Sequence, residues 1–75
     1  MDTEYLKKIA EQYNAIDLGK QKMKNLLSFE KDGFRINIYT ITGTITVQSK
    51  EVKFDKGEIF RNATVETFEW ILNNI

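Results

Sequence analysis

Arg35, Asn37, Tyr39, Thr46 and Gln48 recur at a spacing of two within two adjoining runs, FRINIYT and GTITVQSK. Together they offer a guanidinium, two carboxamides, a phenol ring and a hydroxyl. Such a set can stack on bases and exchange hydrogen bonds with base edges, sugars and phosphates. Lys50 continues the second run. Lys20, Lys22 and Lys24 form a separate basic stretch with no acid between Gly19 and Leu27, a candidate phosphate contact. Neither group requires a ligand to explain it. Thr and Tyr are good strand formers wherever they sit, and a short lysine run is an ordinary solvated face.

Catalytic chemistry has little to work with. The chain has no His and no Cys, so the usual general base near neutral pH and the best nucleophile are both missing. Its 11 acidic side chains show no acid/base or metal-ligand spacing, and Glu66 and Glu69, three apart, read as the solvated face of a helix. Gly33, Gly43 and Gly57 stand singly, as turn residues do, and make no phosphate loop. The expectation is a non-enzyme with no cofactor and no metal. A formal net charge of zero weighs against binding dominated by phosphate electrostatics. Trp70 falls on the polar side of its helix, and Trp is a favoured interface anchor. A homodimer or protein contact there is the alternative functional reading, with local packing as the plainer one.

The elements that must hold these residues are legible as alternation. Phe34, Ile36 and Ile38 alternate with Arg35, Asn37 and Tyr39, and Ile45 and Val47 alternate with Thr44, Thr46 and Gln48. A period of two over this length marks strands with one buried face. A turn at Thr42-Gly43 pairs Thr40 with Ile45, Ile38 with Val47, Tyr39 with Thr46 and Asn37 with Gln48. A second turn at Asp32-Gly33 suits a type I′ hairpin and pairs Phe29 with Ile36, Leu27 with Ile38 and Glu30 with Arg35. Both turns send the apolar residues to one side. Val52-Lys53-Phe54 reads as a further strand, followed by a turn at Asp55-Lys56-Gly57 and a short edge strand over Glu58 to Phe60.

Helices flank this sheet. Asp2 or Thr3 caps the first, Leu6, Ile9, Tyr13 and Ile16 form its apolar stripe, and Gly19 is a plausible stop, giving a helix over about 3–17. Asn62 caps the last, from Ala63 to Asn74, with Val65, Phe68, Ile71, Leu72 and Ile75 on one side. The fold class is therefore α+β: an N-terminal helix, a three- to four-stranded antiparallel sheet of hairpins, and a C-terminal helix, with both helices on one sheet face. At 75 residues, 41% hydrophobic and 29% charged, this is one small domain. No apolar run reaches the ~20 residues that cross a bilayer, and the start is acidic rather than a signal peptide. A cytoplasmic location and no membrane partner are expected.

Lys31-Asp32-Gly33-Phe34-Arg35-Ile36-Asn37-Ile38-Tyr39, followed by Gly43-Thr44-Ile45-Thr46-Val47-Gln48, resembles the N-terminal substrate-binding domain of ribonuclease HIII, a TATA-box-binding-protein-like fold. The shared pattern is a Gly-initiated strand ending in Tyr, a Gly turn, and a second strand ending in Gln. Here the Tyr-to-Gly loop is one residue longer, and Ser49 follows where Gly is usual. The resemblance implies that Asn37, Tyr39, Thr46 and Gln48 face a DNA or RNA duplex. The element order also resembles a double-stranded-RNA-binding domain, although the last helix lacks the basic N-terminal cluster of those domains. A nucleic-acid-binding module working through its polar sheet face is the leading expectation.

Overall fold

A computed structural model describes residues 1–19, 25–49 and 57–75. Along the chain run α1 (Thr3–Gln12), β1 (Ile16–Asp17), β2 (Leu26–Lys31), β3 (Phe34–Tyr39), β4 (Thr44–Ser49), β5 (Glu58–Phe60) and α2 (Val65–Asn74). The strands form a five-stranded antiparallel sheet in sequence order. The expected α+β arrangement is present, and its sheet includes a strand that the sequence did not suggest, β1. The expected strand over 52–54 and most of the turn after it lie outside the described residues. Among the described residues, no helix is long and apolar enough to cross a membrane.

Asp2 caps α1, its carboxylate accepting from the backbone N–H groups of Glu4 and Tyr5. The helix then ends at Gln12, well short of the expected stop at Gly19. Asn14 takes the left-handed conformation (φ 59°). The Asn14 N–H bonds to the Glu11 carbonyl and the Ala15 N–H to the Ala10 carbonyl, the double closure of a Schellman cap. Asn tolerates this conformation because its short polar side chain relieves the steric penalty. Chain reversal at Asn14 frees Ile16 to enter β1, opposite Glu30. Ile16 is accordingly 62% exposed, not part of the helical stripe.

The Asp32-Gly33 hairpin is as expected: Phe29 faces Ile36, Leu27 faces Ile38 and Glu30 faces Arg35, with Asp32 at φ 50°. The β3–β4 connection differs. It is the loop Thr40 to Gly43, so Ile38 pairs with Ile45, Asn37 with Thr46, and Tyr39 with Thr44. Pairing is thus shifted by two residues from a turn with Thr42-Gly43 at its tip. Gly43 closes this loop as its last residue, left-handed at φ 71°, donating its N–H to the Tyr39 carbonyl at 2.9 Å. Its own carbonyl accepts from Ala63 at 2.7 Å, tying the loop to the entry of α2. Because side chains alternate with period two, a shift of two leaves both faces as expected.

Phe29, Ile36, Ile38, Ile45 and Val47 pack with Leu6, Ile9 and Ala10 of α1 and with Phe68, Ile71 and Leu72 of α2 in one core. Both helices therefore lie on the apolar face. Phe29 and Phe68 meet across it, ring centroids 5.4 Å apart. Thr64, not Asn62, caps α2. Its hydroxyl accepts from the Thr67 N–H while the Thr67 hydroxyl accepts from the Thr64 N–H, a capping box built from two threonines. Asn62 instead turns the chain, left-handed at φ 53°. The Glu66 carboxylate, bonded to its own backbone N–H and to the Thr64 hydroxyl, has its pKa held below the ordinary value.

Gly57 precedes β5 at φ 72°. A Cβ there would overlap the Val47 carbonyl, whereas one at Gly43 meets the Ala63 carbonyl oxygen at an ordinary 3.7 Å. Gly43→Ala should therefore cost only left-handed strain, about 1–2 kcal/mol. Gly57→Ala should add steric overlap, for about 2–5 kcal/mol in total. Denaturant midpoints of the two variants check the order; equal losses would contradict the close approach at Gly57.

Candidate functional site

The face of the sheet turned away from both helices carries three rows across β2, β3 and β4. Glu30, Arg35 and Gln48 form one, Ser28, Asn37 and Thr46 the next, and Leu26, Tyr39 and Thr44 the third. Ile16 of β1 stands beside Glu30, and Ile59 of β5 stands beside Thr46. Both isoleucines are more than half exposed, so an apolar residue borders the polar rows at each side.

The middle row is a hydrogen-bonded floor. The Ser28 hydroxyl donates to Asn37 Oδ1 at 2.7 Å, and Arg35 Nε donates to the same oxygen at 3.3 Å. Asn37 Nδ2 donates to Thr46 Oγ1 at 3.3 Å. Ser28 is fully buried and Asn37 is 9% exposed. A buried carboxamide needs its partners to offset the loss of water, and here three side chains supply them. Asn37 thereby fixes the root of the Arg35 guanidinium. Above this floor Gln48 is exposed, while Arg35, Tyr39 and Thr46 are half-buried. Glu30 lies directly opposite Arg35, so the central rows carry one charge of each sign.

Of the residues singled out in the sequence, the fold brings Arg35, Asn37, Tyr39, Thr46 and Gln48 onto this one face. Their neighbours differ from expectation, since Asn37 pairs with Thr46, Tyr39 with Thr44, and Gln48 with Arg35. Lys20, Lys22, Lys24 and Lys50 lie outside the described residues. Ser28 is a member that the reading missed, although its signal was present. It alternates with Leu27 and Phe29, and the Asp32-Gly33 turn alone sets it opposite Asn37. The chain matches no protein-family model, no curated protein and no solved structure. What the face does must therefore be argued from its own chemistry.

Trp70 belongs elsewhere. It is 56% exposed and meets Phe60 edge-on, centroids 6.2 Å apart at 61°. With Phe34, Val47, Phe60, Ile71 and Ile75 it borders an open groove of about 510 Å³. Val47 and Phe60 point to the core side of the sheet, so this groove and the polar face lie on opposite sides.

The floor makes a stability prediction. Asn37→Leu strands the Ser28 hydroxyl and should cost about 1–3 kcal/mol. Adding Ser28→Ala removes the orphaned donor and should recover part of that loss. Thermal melts of both single variants and the double variant measure the coupling; strict additivity would mean that the Ser28–Asn37 bond contributes nothing.

Proposed function

We propose that this protein is a non-catalytic nucleic-acid-binding module that works through the polar face of its sheet. The observation that carries this reading is the pre-arranged surface. Arg35, Tyr39 and Gln48 stand over the bonded Ser28–Asn37–Thr46 floor, on the face that neither helix covers. An aromatic ring, amides that both donate and accept, and hydroxyls held on regular strands form a surface of the type that stacks on bases and bonds to their edges. Side chains anchored to strands are positioned more tightly than those on loops, which lowers the ordering cost of binding.

Titration of labelled DNA, RNA and hybrid oligonucleotides at ~50 mM salt, where phosphate contacts are strongest, tests the proposal. Binding is expected. Gln48→Glu, a change at an exposed position, should leave the melting temperature unchanged and weaken binding roughly tenfold by placing an anion on the face. Absence of binding to all three oligonucleotides removes the reading.

A second reading is favoured by Trp70, whose exposed indole and edge contact with Phe60 suit an anchor in a homodimer or protein interface. Sedimentation of wild type beside Trp70→Ala tests it. A concentration-dependent dimer abolished by the substitution supports self-association there, and a monomer in both cases rejects it.

A further inference from the structure

We infer that the nucleic acid taken up by this face is single-stranded, with splayed bases laid on Tyr39 and the neighbouring amides, and not a duplex gripped by its phosphates. The inference rests on the nucleic-acid reading above and adds the state of the strand.

Charge is the first argument. A duplex carries one negative charge per ~1.7 Å of axis, and proteins that hold it neutralise several phosphates with Lys and Arg. Across β2 to β4 the face spans about 10 Å between its outer strands, and among the described residues its central rows hold Arg35 as their one cation. That guanidinium is rooted on Asn37 Oδ1 and faces Glu30 across the ladder. A balanced pair of this kind offers a polyanion little net attraction. The whole chain is neutral as well.

The second argument is what the face offers instead. Tyr39 is half-buried at the end of β3, with part of its ring at the surface, and a ring can stack only on a base that has left the helical stack. Gln48 stands exposed in the row that holds Arg35, about 13 Å along the strands from Tyr39 at four residues' rise. Thr46 lies between them and Thr44 beside Tyr39, both half-buried, and their hydroxyls donate and accept alike. Small antiparallel sheets accommodate two or three splayed bases over a comparable length. Ile16 and Ile59, exposed at the two sides of the same face, extend it with apolar contact that suits base and sugar surfaces and disfavours phosphate.

Anisotropy titrations with a labelled mixed-sequence RNA 12-mer, its DNA equivalent and the corresponding duplexes, at 50 and 200 mM KCl, test the inference. Single strands should bind at least tenfold more tightly than duplexes. One neutralised phosphate predicts a loss of only about threefold over that salt range, against a thousandfold or more for six. Tyr39→Ala should weaken single-strand binding roughly 10- to 100-fold, the range of one lost stack, while Tyr39→Phe should retain it. A measurement on wild type alone guards against misfolding of the variant: adding the RNA 12-mer should shift the side-chain amide resonances of Asn37 and Gln48. Duplex binding as tight as single-strand binding overturns the inference and leaves the broader reading standing, whereas shifts that spare both amides place the strand elsewhere and overturn both. Failure of every oligonucleotide to bind overturns both.

Discussion

The structure depends on keeping Phe29, Ile36, Ile38, Ile45 and Val47 out of water beneath α1 and α2. Burying one such side chain is worth about 1.5–3 kcal/mol, whereas a cross-strand pair on the open face contributes about 0.2–1 kcal/mol. The core therefore decides which way the ladder faces. A slip of one residue would expose these five and drive Ser28, Asn37 and Thr46 under the helices. The polar face is the other half of that constraint, since a strand that sends alternate residues inward must send the rest outward. A slip of two residues preserves the faces, so burial does not choose between such registers. That choice falls to the loops, and the Gly43 closure against Tyr39 and Ala63 makes it for β3 and β4.

On the open face, hydrogen bonding contributes order more than stability. Each bond nets about 0.5–1.5 kcal/mol. Asn37 nevertheless accepts from two strands' side chains and donates to a third strand, so its carboxamide locks three strands' polar residues into one arrangement. A similar economy holds at the rim of the core. The last turn of α2 has no basic residue of its own. Lys31 lies with its stem on the apolar side and donates to the Ile75 carbonyl at 3.3 Å and to Asp32 at 3.0 Å. It places a cation where the helix dipole favours one.

Alternation made the sheet faces readable, and Asp32-Gly33 made its own hairpin readable, because few dipeptides adopt two successive positive φ angles readily. The candidate face was legible for the same reason, including Ser28, which the same pairing places beside Asn37. Ile16 misled because it fits the helical period as well as it fits an edge strand. What separated the two was Asn14, a residue whose left-handed conformation is optional, unlike that of a glycine obliged by its turn. The capping of α2 was obscured similarly, for Asn62 and Thr64 are both good caps, and only the left-handed turn at Asn62 shows which one serves.

From its residues alone, this chain determined the two-faced sheet, the apolar sides of both helices and the identity of most of the polar surface, because these follow from local periodicity and need no knowledge of distant contacts. Tertiary structure decided where α1 stops, that β1 exists at all, and which threonine stands beside Asn37. The first turns on Asn14, whose left-handed conformation is optional, and the other two on bonds between residues far apart in sequence, such as Gly43 with Ala63, which no local pattern records.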